Sequence, residues 1–172
     1  MVGWITQLVV DRTMRGRYIA THLLRSLKNH VLFQNITAIG LVSSHPAACA
    51  SLGNYDCFLP CQLHHLHIIL WPPGVSTDTL DTDFIHANAQ DIFNASPIEY
   101  LLGAQLRGSL FQDVPEDGVV SSVYTEFFVD YAETSAVLQE FRKKHEWCLG
   151  KLLDGHEYLI IALVESSVSP SA

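Results

Sequence analysis

Residues 4–24, WITQLVVDRTMRGRYIATHLL, decide the fold that this sequence predicts. Residues 4–10 are almost continuously apolar and rich in strand-forming side chains, as in a strand that is buried on both faces. Over residues 18–29 the apolar side chains recur at helical spacing and indicate a helix with one buried stripe. Between them lies a polar break with three arginines and Gly16. The stretch therefore predicts a strand, a cationic turn and an amphipathic helix.

A second unit of the same kind follows directly. Residues 36–42 predict another buried strand, and SSHPAACASL after it predicts a helix that Ser44 caps, with Pro46 in the first turn. A helix that joins two apolar strands implies a right-handed crossover between parallel strands. The chain thus begins as an α/β fold.

The later part of the chain predicts further helices and strands. Helices are expected over residues 79–93, over residues 135–147, and after the capping-box pattern that begins at Ser96. Strands are expected over residues 123–130 and 157–164.

Composition predicts one globular domain. The chain has 172 residues, of which 48% are hydrophobic and 16% charged, so it can bury a sizeable core. A formal charge of -8 argues against nucleic acid as a partner, because phosphate backbones require a basic face. Residues 1–55 nevertheless carry a net charge of +4, with five Lys and Arg against one Asp, and the remainder carries -12. A small positive region on an acidic protein suits a compact anionic ligand.

The amino-terminal residues predict an intracellular, cytoplasmic protein without a membrane segment. They contain no basic region ahead of their apolar stretch, which is also too short for a signal peptide or a membrane span. The four cysteines, Cys49, Cys57, Cys61 and Cys148, do not form a secreted-type framework in a chain of this size, so we expect reduced thiols.

The cationic turn has two interpretations. A helix N-terminus exposes unpaired backbone N–H groups and a partial positive charge, which together can bind phosphate. Gly16 would let the chain curl close to a ligand, Ala20 keeps the first helical turn slim, and Arg15 and Arg17 add charge. The alternative is an ordinary solvated corner. Neither G-x-G-x-x-G nor G-x-x-x-x-G-K-[ST] occurs, which excludes two familiar phosphate-binding motifs.

Residues 4–53 resemble the central part of the GNAT superfamily of acyl-CoA-dependent N-acetyltransferases. The family motif is a strand, then [QR]-x-x-G-x-[GA], then a helix that ends in two apolar residues. Arg15, Tyr18 and Ala20 fall on the three motif positions, and ITAIGLVSSHPAACASL follows in the family's order. Tyr18 occupies the usual glycine, beside Gly16. Downstream, SPIEYLLGAQLRGSLF, FFVDYAE and LGKLLDGHEYLII resemble segments of a less characterised subgroup.

The resemblance implies a mixed α+β sheet, with an acyl-CoA N-acyltransferase-like core and a helical insertion. It implies transfer of an acetyl group from acetyl-CoA to an unidentified amine. Two central parallel strands would splay apart, and pantetheine would insert along the first of them. Residues 127–129 and 158–161 would supply the antiparallel pair that ends the sheet. The residues implied to contact the cofactor are Leu8, Val9, Val10, Arg15, Gly16, Arg17, Tyr18, Ile19, Ala20 and Ser44.

The general acid is not identified by the resemblance. The family often uses a tyrosine in the helix after the second strand, and Leu52 stands at that position. Tyr55, about one turn later, and His45, near the cofactor cleft, are the candidates. Their alternative roles are structural, as a packing aromatic near a helix end and as a histidine at a helix start.

Other functions stay open at this point. The strands and helices that precede the family's motif have no counterpart here, so we expect a fragment, a degenerate member or a domain completed by a partner. The second candidate is therefore a catalytically impaired CoA-binding or interaction protein. The third is a zinc-binding module, because CFLPCQLHHLHIILW offers Cys57, Cys61, His64, His65 and His67 as ligands, at a spacing unlike any strong finger pattern.

The stretch around this cluster is interpreted as an insertion. No Asp, Glu, Lys or Arg occurs between Asp56 and Asp78, and residues 57–75 show no clean strand or helix periodicity. We therefore expect a single domain over residues 1–165. Its parts are an acetyl-CoA-binding core at 1–55, an irregular insertion at 56–78 and a carboxyl-terminal part at 79–165, followed by a disordered tail at 166–172.

Overall fold

The computed structural model describes residues 1–53, 80–112, 118–143 and 146–164, and within them it shows a mixed α/β fold. The strands are β1 (Val2–Ile5), β2 (Ala38–Ser43), β3 (Gln105–Arg107), β4 (Ser122–Tyr124) and β5 (His156–Leu163). The α-helices are α1 (Ile19–Ser26), α2 (Pro46–Gly53), α3 (Thr82–Asn94) and α4 (Tyr131–Arg142). Single 3-10 turns lie at Arg12–Met14, Leu27–Asn29, Val31–Phe33 and Glu99–Leu101. The predicted α/β class is confirmed.

The five strands form one mixed sheet in the order β1-β2-β5-β4-β3. β1 and β2 are parallel, as the predicted crossover through α1 requires, whereas the other three pairs are antiparallel. β2 pairs with β5 along its whole length, from Ala38 opposite Leu163 to Ser43 opposite Tyr158. The parallel pair therefore lies at one edge of the sheet.

β2 and β5 form the centre of the core. Ile39, Leu159 and Ile160 have no exposed surface, and almost every residue of both strands is buried, so both faces of the sheet are covered. α1 packs against α2, which in turn packs against α4 and β5, while α3 packs against β5. The apolar runs at 36–42 and 157–164 thus form strands that are buried on both faces, whereas β1, at the edge of the sheet, buries only Ile5, so that the prediction was wrong for β1.

Gly40 explains how Trp4 packs on the sheet. Trp4 lies directly opposite Gly40 in the β1–β2 register, and a Cβ at Gly40 would lie 2.8 Å from ring atoms of Trp4. The glycine therefore provides the space into which the indole packs.

Several predicted boundaries are wrong, for local reasons. The first strand ends at Ile5, so residues 6–10 lie outside it. The strand expected at 123–130 is only Ser122–Tyr124, and the pair expected at 127–129 is replaced by β4, which pairs with β5. α4 begins at Tyr131 because the Asp130 carboxylate accepts a hydrogen bond from the Ala132 N–H at 2.9 Å. Capping chemistry overrode the apolar spacing in this case.

Two predicted caps are also corrected. Ser96 does not open an α-helix, since its hydroxyl accepts a bond from the Ile98 N–H at 3.2 Å and only the 3-10 turn Glu99–Leu101 follows. Ser44 does not cap α2. His45 does so instead, because its Nδ1 accepts from the Ala47 N–H at 3.2 Å and its carbonyl accepts from Cys49. Pro46 occupies the first helical position as predicted.

Among the described residues, no helix is long and apolar enough to cross a membrane. The predicted insertion at 56–78 and the tail at 166–172 lie outside the described residues.

Candidate functional site

The pairing between the two parallel strands stops before β2 ends. The β1–β2 register ends at Ile5 opposite Leu41, whereas β2 continues to Ser43 in its pairing with β5. Within the described residues, Val42 and Ser43 therefore have a strand neighbour on one side only. We call the space beside Val42 and Ser43 the β1–β2 opening. Ligands of open α/β sheets bind at such places, outside the carboxyl ends of parallel strands.

The segment that leaves β1 runs beside this opening without strand structure. Leu8 and Val10 are half-buried, but Val9 is 83% exposed. The prediction that residues 8–10 form part of a buried strand is wrong, because the ladder to β2 stops at Ile5. Residues 8–10 instead belong to the segment that connects β1 to the cationic turn.

The cationic turn is built from short-range contacts. The Asp11 carboxylate accepts a bond from the Thr13 N–H at 2.8 Å and so fixes the 3-10 turn Arg12–Met14. Gly16 follows with φ 75°, in the left-handed region that glycine adopts at no steric cost. Arg15 and Arg17 on either side of it are exposed.

Tyr18 takes the backbone conformation that a glycine would favour. Its φ is 57°, in the left-handed region, and it stands where the family motif has glycine. For a residue with a side chain this conformation costs roughly 1–2 kcal/mol. Tyr18, the one departure from the motif, thus keeps the left-handed backbone conformation that glycine favours.

The first turn of α1 presents donors beside the opening. The first helical bond runs from the His22 N–H to the Tyr18 carbonyl at 2.9 Å, so the N–H groups of Ile19, Ala20 and Thr21 precede the intrahelical ladder. These groups and the helix dipole favour an anion. The start of α1 thus places three backbone N–H groups next to the exposed arginines of the turn.

Arg15 connects this turn with α4. Its guanidinium forms an ion pair with Glu133 in the first turn of α4, and its Nε donates to the Val10 carbonyl at 3.2 Å. Both side chains of the pair are about half exposed, at 44% and 49%, so water screens the attraction. Sequence reasoning did not find Glu133, because a contact across 118 residues leaves no local pattern.

His45 lies beside this ion pair. Burial lowers the pKa of His45, and Arg15 lowers it further, while Glu133 acts in the opposite direction. The ring is therefore neutral at neutral pH. Because Nδ1 accepts from Ala47, the proton of the neutral ring is on Nε2, which is buried without a hydrogen-bond partner in the described residues. His45 can thus donate one hydrogen bond, but it does not carry an acidic proton.

Glu157 is the buried carboxylate of the site. It is the second residue of β5, with only 6% of its surface exposed, next to the end of β2. Burial raises the pKa of Glu157, and the Thr125 hydroxyl and the Ser44 backbone N–H act against this by stabilising the charged form. The sequence held one signal for it, a single carboxylate in the apolar strand HEYLIIAL. Ser44 thus contributes its backbone to the site.

Phenols and a thiol surround this carboxylate. Burial, and to a smaller extent the charge of Glu157, raises the pKa of Tyr100 to about 12. The same two causes, in the same order, raise the pKa of the Cys49 thiol. Both groups therefore stay protonated at neutral pH. Cys49 is inert as a nucleophile under these conditions, because only a thiolate reacts readily.

A cavity of about 330 Å³ begins at Ser44, the residue after β2, and extends along α4. It lies between the start of α2, the inner side of α4 and the loop before β5. Two cations, Arg142 and Lys151, and one anion, Asp154, line it together with several hydroxyl groups. Its size is at the lower end of the range for small-molecule sites. Ser44 lines the cavity and touches Glu157 through its backbone, so the two features meet at that residue.

The remaining predicted site residues divide into two groups. Leu52 is fully buried in α2 and belongs to the core, so it does not take the place of the family's tyrosine. Tyr55 and the cluster from Cys57 to His67 lie outside the described residues. Within the described parts of the chain, no group of three or more His, Cys, Asp or Glu side chains is placed to hold a metal ion.

Comparison of the chain with protein-family models, with curated proteins and with solved structures found no match.

Proposed function

We propose that this chain is an acyl-CoA-dependent N-acetyltransferase of the GNAT type, which moves an acetyl group from acetyl-CoA to an amine. One observation carries the proposal. The pairing of β1 with β2 stops at Ile5 and Leu41 while β2 continues to Ser43, and the cationic turn that opens α1 follows β1. An extended thioester cofactor requires both features, a strand edge with which to pair and a place for its pyrophosphate.

The turn would hold the pyrophosphate of CoA. The N–H groups of residues 19–21 point out of the helix start, and Arg17 adds an exposed charge beside Gly16. Arg15 would join them by leaving Glu133. The pantetheine arm would then lie in the β1–β2 opening, against the backbone of Val42 and Ser43 and beside Leu8, Val9 and Val10.

Glu157 would accept the proton of the reacting amine. In the reaction the amine nitrogen attacks the thioester carbonyl, a C–N bond forms, and the C–S bond breaks to release CoA as its thiolate. The proton that the nitrogen loses passes to the Glu157 carboxylate. A raised pKa suits this role, because a stronger base takes a proton more readily near neutral pH. The Nε2–H of His45 could donate to the oxyanion that develops on the carbonyl.

Calorimetry with acetyl-CoA tests the proposal. We expect saturable binding, and we expect the Arg15→Ala, Arg17→Ala double variant to bind at least about tenfold more weakly, since hydrogen bonds to charged groups contribute about 1.5–3 kcal/mol each. A double variant of equal charge change, Arg107→Ala with Lys143→Ala, alters a half-buried residue of β3 and the exposed residue that follows α4, and controls for net charge. Equal losses in both double variants, or no binding by the unaltered chain, would contradict the proposal.

A second candidate is a CoA-binding protein that does not catalyse transfer. The Arg15–Glu133 ion pair favours it, because the pair occupies a cation that the pyrophosphate would use. Acetyl-CoA binding without release of CoA thiol in the presence of a broad panel of amines would support this candidate. Thiol release that depends on amine would exclude it.

A further inference from the structure

The cavity beside α4 lies between that helix and the loop before β5. In the last turn of α4, the Arg142 guanidinium donates to the Gly150 carbonyl at 3.1 Å. At the start of the helix, the Tyr131 hydroxyl donates to the His156 carbonyl at 3.4 Å. Residues 150–156 therefore run antiparallel to α4 and form the facing wall. We call the space of about 330 Å³ between these two walls the α4 cavity.

The α4 cavity carries opposite charges towards its two ends. Arg142 lines it at the carboxyl-terminal end of α4, and Lys151 lines it on the facing wall. Asp154 lines it further along that wall, towards the start of the helix. An α-helix rises about 1.5 Å per residue, so the length of α4 from Tyr131 to Arg142 is about 16 Å. The positive and the negative charge thus lie apart along one cavity.

Two phenols that line the cavity show which end each charge is near. Burial raises the pKa of Tyr131, and the charge of Asp154 raises it further. Burial also raises the pKa of Tyr158, whereas the charge of Arg142 acts against this. Tyr158 is buried in β5, beneath the cavity. Asp154 is therefore close to the start of α4, and Arg142 is close to the buried floor of the cavity.

Neither of these two charges is neutralised by an ion pair. In the part of the chain that the structure describes, Arg142 and Asp154 form no ion pair with each other or with another residue. A guanidinium has five N–H donors, so Arg142 can bind a carboxylate while it keeps its bond to Gly150. Opposite charges that the fold holds apart are complementary to a ligand with opposite charges at its two ends.

Apolar side chains lie between the charged ends. Leu138 precedes Arg142 by one helical turn on the inner side of α4, and Leu152 lies between Lys151 and Asp154 on the facing wall. Small-molecule sites typically combine such an apolar lining with a few polar groups that fix the orientation of the ligand. The α4 cavity thus has a cationic end, an apolar middle and an acidic end.

We propose that the α4 cavity binds a small aliphatic ω-amino carboxylate, with its carboxylate at Arg142 and its ammonium group at Asp154. Its methylene chain packs against Leu138 and Leu152. A guanidinium binds a carboxylate through paired hydrogen bonds, and an ammonium group has three donors for carboxylate and hydroxyl oxygens. This site requires neither acetyl-CoA nor acetyl transfer, so it goes beyond the proposed function.

Titrations without acetyl-CoA test the inference. The isotope-labelled chain is titrated with ε-aminocaproate at constant pH and ionic strength, and its amide NMR shifts are followed. Caproate lacks the ammonium group, hexylamine lacks the carboxylate, and glycine carries both groups close together. We expect saturable binding of ε-aminocaproate, at least about fivefold tighter than that of each of these three, with shifts in α4 and residues 150–158. No saturable binding, or equal affinity for any of the three, would overturn the inference.

Triglycine tests the aliphatic chain of the ligand. Its charged groups are also far apart, but peptide units replace the methylene groups between them. We expect weaker binding than that of ε-aminocaproate, because peptide groups lose hydration against Leu138 and Leu152. Equal or tighter binding of triglycine would show that the cavity takes a peptide and would overturn the assignment of the ligand.

Variants assign each end of the ligand to a side chain. Arg142→Gln should lower the affinity for ε-aminocaproate to about that of hexylamine, and Asp154→Asn should lower it to about that of caproate. Lys143→Gln, after α4, and Asp91→Asn, in α3, make the same charge changes at exposed positions and should leave the affinity unchanged. Equal losses in variant and control would overturn the site. Because the two ends are tested separately, failure of one variant to fold leaves the other as the test.

Acetyl-CoA is titrated with and without saturating ε-aminocaproate, so that the two proposals can fail independently. We expect the affinity for acetyl-CoA to change by less than about twofold. Mutual exclusion of the two ligands would mean that the α4 cavity belongs to the cofactor site and would overturn the inference of a separate site. Binding of ε-aminocaproate by a chain that does not bind acetyl-CoA would support the α4 cavity and contradict the transferase proposal.

Discussion

Glu133 and Glu157, the two glutamates that border the candidate site, lie in opposite surroundings. Glu133 is about half exposed in the first turn of α4 and forms an ion pair with Arg15 of the cationic turn. Glu157 is buried in β5, and this burial raises its pKa. The comparison shows that the same side chain forms a screened contact at the surface and becomes a stronger base when it is removed from water.

The largest expected effect is that of Glu157→Gln on acetyl transfer. Loss of a general base typically costs about 10²- to 10⁴-fold in rate, so we expect kcat to fall within that range. Acetyl-CoA affinity should stay unchanged, because Glu157 does not lie at the turn. Thiol release and calorimetry measure the two quantities. Unchanged kcat in a folded variant would show that Glu157 is not the base. The two glutamates would then not differ in their role in the reaction.

The second prediction concerns the backbone of the turn. Tyr18→Gly and Tyr18→Ala remove the same aromatic ring, but only glycine adopts a left-handed conformation without strain. We therefore expect the glycine variant to be more stable than the alanine variant by about 1 kcal/mol. Urea unfolding of both variants measures the difference, and each serves as the other's control. A more stable alanine variant would mean that residue 18 is not left-handed in solution.

A smaller effect is expected for Glu133→Gln. The change matches the one at Glu157 but removes a screened ion pair, so stability should change by less than about 1 kcal/mol. Because Arg15 then no longer has to leave a carboxylate, acetyl-CoA should bind more tightly, by up to about fivefold. Calorimetry on this variant, with Glu140→Gln as the control on the same helix, measures the gain. Weaker binding would show that Glu133 assists the turn.

The smallest expected effect is a pH dependence that arises from His45. Its pKa is lowered in the folded state by burial and by Arg15, with Glu133 opposing, so the folded chain binds fewer protons than the unfolded chain. The contribution of His45 to stability is therefore complete above its unfolded pKa of about 6.5 and is lost as the pH falls below that value. His45→Asn keeps a capping side chain and should flatten this part of the stability profile. His22→Asn, on the exposed side of α1, is the control, and identical profiles for the two variants would contradict the assignment.

The amino acid sequence by itself determined the first βαβ unit. Continuous apolar runs define β1 and β2, helical spacing defines α1, and both signals act over a few residues. The cationic turn was predicted for the same reason, since Gly16 and the arginines around it are adjacent in the chain. Even here the end of β1 at Ile5 was not predicted, because the apolar pattern continues to Val10 and β2 itself runs on to Ser43.

Tertiary structure alone decided the rest of the candidate site. Glu133 reaches Arg15 from 118 positions away, and the burial of Glu157 depends on how β5 joins β2 and β4. Proton affinity follows from water exposure and neighbouring charge, which no local pattern of residues specifies. The sequence could therefore predict a cationic turn, whereas the burial of Glu157 and its raised pKa emerged only when the strands were placed side by side.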